Sequence, residues 1–387
     1  MSLFSFSRRT NWEFASNELH DELERLRANK VEIIDLIESN PTRCGFSYPS
    51  EIISAFNNPE NLKYQPDSKG MLTARREIAR HYASRQKKNI DLESIVLTSS
   101  TSEAYAFLLR LLVNPGEKVL IGCPSYPLFQ YLIELSDAAY DFYPLIFDGT
   151  WRIDFEALEN VIDPSTRVMI LVNPNNPTGS FITADELEKL NRLCQRHKIA
   201  LISDEVFFDY RLDDQAVDAV SLIGNPDVPT FVLGGLSKSL ALPQMKLSWI
   251  IAGGPQDLTQ EALKRLEIIA DTFLSVNTPV QNALSVWFSV GDQIQKQILE
   301  RVRRNYEEIK EFAKARGIEC LPSEGGWYAV LKIPSIKNEE EWVLNLLRKK
   351  HVLVHPGYFF DFPEESHIVI SLLPESHQFN EGLKRIL

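Results

Sequence analysis

Lys238 is the first candidate for chemistry in this 387-residue chain. It lies in the Gly- and Ser-rich segment 234–239, directly after the short apolar run 231–233. A lysine at the end of a buried strand can act as a covalent nucleophile, because burial favours its free amine. Such an amine can form a Schiff base with a carbonyl cofactor. Most lysines are solvated surface groups, so Lys238 alone is weak evidence.

Two further polar segments lie upstream, each after an apolar run. Asn176, in Asn-Pro-Thr-Gly, can donate a hydrogen bond to a phenolate oxygen, although a plain turn needs the same residue types. Asp204 follows the run 200–203, and its charge can keep a pyridine nitrogen protonated. A protonated ring accepts the electrons of a neighbouring carbanion. The alternative for Asp204 is the N-cap of a following helix.

Two segments nearer the N-terminus complete the set. Ser100, Thr101 and Ser102 open a helix after the run 95–98, where N–H groups and hydroxyls can bind a phosphate. An ordinary Ser/Thr helix cap is the alternative interpretation. Tyr126 follows the run 119–122, and its ring can stack on a flat heteroaromatic ring or simply pack in a Pro-rich turn.

The elements that carry these residues predict an α/β fold. Short apolar runs alternate with helical patterns between about residues 90 and 255, which indicates a mostly parallel central sheet with helices on both faces. Ligands of such sheets bind beyond the carboxyl ends of the strands, where all the candidate residues are expected. Thr183 and Glu186 form a capping box that opens one of the helices.

The pattern of apolar and charged residues changes after about residue 276. A long charged helix from Asp292 to about Arg316, a second helix near 339–350 and strands at 352–354 and 367–371 predict a smaller α+β domain. We therefore expect a large cofactor-binding domain at 46–275 and a small domain formed by 1–45 and 276–387. A helix at 17–29 is expected in the N-terminal part.

Composition excludes several classes of function. The net charge of −12 argues against nucleic acid or an anionic membrane as the main partner. Four cysteines without C-x-x-C spacing predict neither a metal site nor a disulfide framework. The chain begins without an apolar signal core, and no apolar run is long enough to span a membrane. We expect a cytoplasmic protein.

Together these segments resemble the class I/II aminotransferases, the fold type I enzymes that use pyridoxal 5′-phosphate. The similarity extends from about residue 39 to 371, and its motifs agree with the family in order and spacing. These motifs are 64–70, 98–104, 124–126, 176–179, 204–206, 237–238 and 356–357.

The resemblance implies a role for each candidate residue. Lys238 forms the Schiff base and moves a proton, while Asp204 pairs with the ring nitrogen. Asn176 pairs with the ring oxygen, and Tyr126 stacks on the ring. Ser100, Thr101 and Ser102 hold the phosphate. Tyr64 reaches the phosphate of a neighbouring subunit, which implies a homodimer with shared active sites.

Three departures from the family concern the cofactor. Lys246 stands where an arginine usually grips the phosphate, and it offers fewer fixed donors. Gly235 replaces a common serine, so Ser237 is the candidate to supply that hydroxyl. Phe207 replaces a tyrosine that is often found three residues after the aspartate, which removes a second hydrogen bond to the ring oxygen.

A fourth departure concerns the substrate. Val369 stands where many relatives carry the arginine that binds the substrate carboxylate. Burying a carboxylate without a cation is costly, so another group must serve. Our candidate is Arg43, in a loop that lies near the substrate in relatives; a surface arginine is the alternative.

The leading functional hypothesis is an aminotransferase that moves an amino group between an amino acid and a 2-oxo acid. A second hypothesis is a pyridoxal phosphate lyase on the same scaffold, such as a β-eliminating C–S lyase. A third is a cofactor-binding protein without turnover. The sequence does not identify the donor, the acceptor or the pathway.

Overall fold

The computed structural model describes residues 6–12, 17–212, 218–334, 338–364 and 366–386. Within these ranges, no helix has both the length and the apolar character needed to cross a membrane. The same ranges hold no group of three or more His, Cys, Asp or Glu side chains placed to bind a metal.

The strands of the described residues form one large sheet, one small sheet and an isolated pair. In chain order they are β1 Ile34–Asp35, β2 Ile95–Thr98, β3 Lys118–Cys123, β4 Ala139–Phe147, β5 Trp151–Ile153, β6 Thr166–Val172, β7 Ala200–Asp204, β8 Thr230–Gly235, β9 Ser248–Gly253, β10 Glu319–Leu321, β11 Tyr328–Lys332, β12 Val352–Leu353, β13 His355–Pro356 and β14 His367–Ser371.

The α-helices of the described residues lie mostly between these strands. They are α1 Glu18–Ala28, α2 Glu51–Ser54, α3 Leu72–Gln86, α4 Thr101–Leu112, α5 Phe129–Glu134, α6 Phe155–Val161, α7 Ala184–His197, α8 Leu236–Ser239, α9 Gln256–Phe273, α10 Thr278–Arg316, α11 Glu339–Asn345 and α12 Ser376–Ile386. Short 3-10 helices cover Arg8–Thr10, Pro41–Arg43, Pro59–Leu62, Leu92–Ser94, Pro243–Met245 and Gly357–Phe360, and a π-helix covers Leu346–Lys350.

The large sheet confirms the predicted mostly parallel core. Its order is β2-β9-β8-β7-β6-β3-β4-β5, with β8, β7, β6, β3 and β4 parallel and β9 antiparallel to both of its neighbours. Side chains alternate between two cores: along β9, Trp249 and Ile251 join one cluster, and Ile250 and Ala252 join the other. Because both faces are covered, the middle of each inner strand is largely apolar.

The small sheet has the order β10-β11-β14-β13, and all of its pairs are antiparallel. A separate parallel pair joins β1 to β12. Both elements pack into a third hydrophobic cluster, which also contains the C-terminal half of α10. The proposed division at residues 46 and 275 therefore stays a prediction, since one helix contributes to the cores on both sides.

The long helix begins earlier than the sequence predicted. It starts at Thr278 rather than at Asp292, with Asn277 accepting a hydrogen bond from the Val280 N–H at 3.0 Å. Gly291 interrupts the helical pattern in the sequence. A Cβ atom at Gly291 would lie 2.3 Å from Leu240, so this glycine permits close packing and does not end the helix.

The hairpin formed by β4 and β5 was not predicted. Its turn contains Gly149, with a φ of +104°, after Asp148. An Asp-Gly pair between apolar runs is a hairpin signal, and it was available in the sequence. The capping box of Thr183 and Glu186 is confirmed, with both hydrogen bonds present.

Trp287 provides a test of how α10 is anchored. Its ring is fully buried against Phe56, and its indole N–H donates to the Ile52 carbonyl at 2.9 Å. Trp287→Ala should lower Tm by about 5 °C or more, because burial of the ring and a hydrogen bond are both lost. Calorimetry should show little change for Leu258→Ala, whose side chain is exposed. Equal effects of the two changes would contradict this assignment.

Candidate active site

The fold brings several of the predicted site residues to one edge of the large sheet. β7 ends at the candidate residue Asp204 itself. β2 ends at Thr98, two residues before Ser100, and β8 ends at Gly235, three residues before Lys238. Since β7 and β8 are parallel neighbours, Asp204 and the segment that carries Lys238 lie at the same edge. The order of strands thus assembles groups that are distant in sequence.

Lys238 lies in the short helix α8, directly after β8. Its Nζ atom is 4.8 Å from the centre of the Trp327 ring and 5.3 Å from that of Phe207. The side chain is half-buried. Burial lowers the pKa of Lys238 to about 8, and the nearby charge of Asp204 raises it by a smaller amount. Cation–π contact offsets part of the cost of the charged form.

Asp204 is buried at the end of β7. One carboxylate oxygen accepts a hydrogen bond from the Tyr105 hydroxyl at 3.1 Å, and the other accepts from the Val206 N–H at 3.2 Å. Burial raises the pKa of Asp204 to about 6, while these two bonds and Lys238 lower it. The carboxylate therefore depends on its hydrogen bonds to stay charged.

Tyr105 was not singled out from the sequence. It lies on the buried face of α4, where its ring also packs edge-on against Phe129. The only feature of the sequence that could have indicated its role is a hydroxyl among the apolar residues of this face. The hydrogen bond to Asp204 shows its importance, since that bond connects α4 to the end of β7.

Asn176 lies in the loop after β6. Its side-chain Oδ1 atom is buried and has no hydrogen-bond partner in the described ranges. The neighbouring Asn175 is satisfied, because its Nδ2 atom donates to the Pro124 carbonyl at 3.1 Å and to Thr178 at 2.9 Å. A buried carbonyl oxygen without a donor is costly unless a ligand donates to it, and the Nδ2 group of the same amide remains able to donate to an acceptor.

Ser100 is the N-cap of α4, and its hydroxyl accepts a hydrogen bond from the Glu103 N–H at 3.1 Å. Among the described residues, the N–H groups of Thr101 and Ser102 have no acceptor. The cap interpretation is therefore right for the Ser100 side chain. The free N–H groups leave the first turn of α4 able to bind an anion.

Four other candidates are more open to solvent in the single chain. Tyr126 is 39% exposed and packs edge-on against Phe129, and burial is the main cause that raises the pKa of its hydroxyl. Ser237 is half-buried, and Lys246 is exposed with a φ of +53°. Tyr64 is 79% exposed.

The candidate substrate residues occupy different environments. Arg43 has an exposed side chain (74%), and its guanidinium lies 3.9 Å from a Glu38 oxygen. Val369 is buried in β14, directly opposite His355 of β13 and Val330 of β11. The His355 Nδ1 atom is buried without a partner in the described part of the chain. Sequence reasoning missed His355, which only the strand register places beside Val369.

Comparison with known proteins identifies the family of this chain. A family model described as "Aminotransferase class I and II" matches residues 25–386. The chain belongs to this family. It is 28% identical over 375 residues to a glutamate-pyruvate aminotransferase of Escherichia coli, covering 94% of this chain and 92% of the relative. An alanine aminotransferase of Mycobacterium tuberculosis is 27% identical over 380 residues, covering 95% and 88%.

Solved structures agree with this assignment. An alanine aminotransferase from Pyrococcus furiosus superimposes with a TM-score of 0.88 at 25% identity, covering 98% of each chain. An aminotransferase from Escherichia coli gives 0.86 at 26% identity, covering 99% of this chain and 97% of that one. The fold is that of the fold type I enzymes, as predicted.

The aminotransferase prediction is therefore confirmed, and the lyase alternative is not favoured by these relatives. The chain is an enzyme whose substrates are amino acids and 2-oxo acids, and its cofactor is pyridoxal 5′-phosphate. The residues present fit this cofactor. The Asn176 Nδ2 group, which donates to no described residue, suits a ring oxygen, the buried carboxylate of Asp204 suits a ring nitrogen, and the free N–H groups of α4 suit a phosphate.

The lowered pKa of Lys238 leads to a test of stability in the enzyme freed of cofactor. An unfolded lysine titrates near 10.4, so between about pH 8 and 10.4 the unfolded chain binds more protons than the folded one. Folding stability contributed by Lys238 should therefore rise with pH across this interval. Lys238→Met should make the apoenzyme more stable at pH 7, with the advantage shrinking towards pH 10.

Thermal unfolding at several pH values measures this difference. A pKa difference of one corresponds to about 1.4 kcal/mol, so we expect an advantage on the order of 2 kcal/mol at pH 7. The matched control is Lys296→Met on α10, where the side chain is 78% exposed. The same pH trend in both variants would argue that Lys238 is not the cause.

Proposed function

We propose that Lys238 is the residue that binds the cofactor covalently and moves the proton during amino transfer. The observation that carries this proposal is the position of its amine, beside the Trp327 and Phe207 rings and at the sheet edge that holds Asp204. With a pKa of about 8, roughly a quarter of the amine is neutral at pH 7.5. A lysine in water would be about 0.1% neutral at that pH.

Bound pyridoxal phosphate supplies a carbonyl that condenses with amines and a ring that accepts electrons when a neighbouring carbon loses a proton. In this proposal the Lys238 amine, once released by the substrate, takes that proton as a general base. Asp204 holds a proton on the ring nitrogen, and Tyr105 keeps the Asp204 carboxylate oriented by its hydrogen bond. The rings of Trp327 and Phe207 shield part of the amine from water.

The remaining candidates position the cofactor. We assign the ring oxygen to Asn176 and the face of the ring to Tyr126. Phe207 carries no hydroxyl, so the donation to the ring oxygen falls on Asn176. We assign the phosphate to the described anion site and to the side chains that surround it: Ser100, Thr101, Ser102, Ser237 and Lys246.

A homodimer with shared active sites is part of the proposal. Large apolar side chains are exposed at Leu62 (92%), Tyr64 (79%) and Phe273 (49%), which favours burial against a second copy. In such a dimer Tyr64 contributes to the phosphate site of the partner. We also propose a cytoplasmic location, in line with four cysteines that have no C-x-x-C spacing.

The names of the relatives indicate which donors to examine first. Two relatives are named for glutamate, pyruvate or alanine, and a third, from Mus musculus, is named for tyrosine. Adding each of these amino acids to the holoenzyme, without a 2-oxo acid, should shift the cofactor absorbance to that of the amine form. A subsequent 2-oxo acid should reverse the shift, as ping-pong kinetics require. Release of ammonia and pyruvate without an acceptor would instead support a lyase.

Lys238→Ala tests the assigned role. We expect the half-reaction with an amino acid to slow at least about 100-fold, because the covalent attachment and the general base are both lost. Stopped-flow absorbance measures the rate, and Lys264→Ala on the exposed surface of α9 is the control. A rate near that of the wild type in Lys238→Ala would refute the assignment.

Arg43→Gln tests the proposed contact with the substrate carboxylate. If Arg43 binds it, the half-saturating amino-acid concentration should rise about tenfold or more, since a hydrogen bond to a charged group is lost. The maximal rate should change less. Arg27→Gln is matched in kind, because Arg27 is also exposed and paired with a glutamate. Unchanged half-saturation in Arg43→Gln would exclude Arg43 and direct attention to His355.

A further inference from the structure

Ser248 occupies a central position in the row of residues at the sheet edge. It is the first residue of β9, and its partners are Thr98 on β2 and Gly235 on β8. Adjacent strands lie about 4.8 Å apart, so these three residues form a continuous row. Beyond Thr98 the chain enters α4, and beyond Gly235 it reaches Lys238.

The Ser248 side chain lies on the face of the sheet that α4 covers. Ile250 and Ala252, which share this face by alternation, belong to the cluster that also contains Ala104 and Tyr105 of α4. Helix α4 packs against β2, β8 and β9. The hydroxyl of Ser248 is therefore on the same side as the free N–H groups that begin α4.

This hydroxyl has an unused capacity for hydrogen bonding. Ser248 is only 2% exposed, and its hydroxyl has no hydrogen-bond partner among the described residues. By contrast, the hydroxyl of Thr98, in the same row, donates to the Ser100 carbonyl at 3.1 Å. The Ser248 hydroxyl therefore has its donor and its acceptor sites available to a ligand at this edge of the sheet.

Gly235 shows why the hydroxyl is on β9. Its φ of 179° is extended backbone that any residue adopts, so no conformational constraint requires glycine there. A Cβ atom at Gly235 would lie 2.3 Å from the Ser248 Oγ atom. The space in front of Gly235 is thus taken by the hydroxyl of the neighbouring strand.

We propose that Ser248 donates its hydroxyl hydrogen bond to the phosphate of the cofactor. This inference rests on the proposed function, because it needs pyridoxal phosphate at Lys238 with its phosphate at the start of α4. It makes Ser248, rather than Ser237, the main side-chain hydroxyl of the phosphate site. A serine at residue 248 on β9 and a serine at residue 235 on β8 would then place a hydroxyl in the same space, so either one can serve the phosphate.

The test measures the affinity of the apoenzyme for two probes, pyridoxal phosphate and pyridoxal, which lacks the phosphate. Ser248→Ala should raise the Kd of pyridoxal phosphate about tenfold or more, because a hydrogen bond to a charged group is lost. The Kd of pyridoxal should stay within twofold of the wild type. Ser237→Ala is the matched comparison, with a smaller expected effect on either probe.

The exchange variant Gly235→Ser with Ser248→Gly adds a second test. It returns a hydroxyl to the same space from the neighbouring strand, and it removes the clash that Gly235→Ser alone would meet. We expect it to recover most of the affinity for pyridoxal phosphate that Ser248→Gly loses. This comparison keeps the proposal testable if Ser248→Ala does not fold.

Several results would overturn the proposal. These are an unchanged Kd of pyridoxal phosphate in Ser248→Ala, an equal loss for pyridoxal, a larger loss in Ser237→Ala, or no recovery in the exchange variant. A wild-type apoenzyme that binds neither probe would be a different failure, because it would contradict the cofactor site itself.

Discussion

The site depends on one constraint: an amine and a carboxylate must remain reactive where burial disfavours the charge of both. Burial lowers the pKa of Lys238 to about 8 and raises that of Asp204 to about 6, while each group opposes the effect on the other. Hydrogen bonds from Tyr105 and the Val206 N–H keep Asp204 ionised, and two aromatic rings accommodate the Lys238 ammonium. The parallel register of β7 and β8 holds the two groups in place.

Two departures of this chain from its family change the groups that surround Lys238. Phe207, which lacks a hydroxyl, instead offers a ring to the Lys238 amine and packs edge-on against Trp327. Ser248 places a hydroxyl in the space that the absence of a side chain at Gly235 leaves free. At residue 235 the neighbouring strand thus offers a hydroxyl in exchange, whereas at residue 207 the hydroxyl is lost and only the ring is kept.

The cofactor side of the site could largely be predicted from the sequence, because its residues directly follow apolar strands and form contiguous motifs. Lys238, Asp204 and Asn176 all lie where this rule puts them. Tyr105, Ser248 and His355 could not be predicted in this way, since their relevance comes from helix packing and strand register. The start of α10 was missed because Gly291 breaks a periodic pattern for a packing reason that only tertiary structure reveals.

The central claim is that Lys238 is the amine that holds the cofactor. Its most direct test is borohydride reduction of the holoenzyme, which fixes the bond between cofactor and lysine, followed by peptide mapping by mass spectrometry. The account predicts one modified peptide, with the pyridoxyl group on Lys238. Modification of Lys246 or any other lysine in place of Lys238, or no stable modification in a protein that retains its cofactor absorbance, would contradict it.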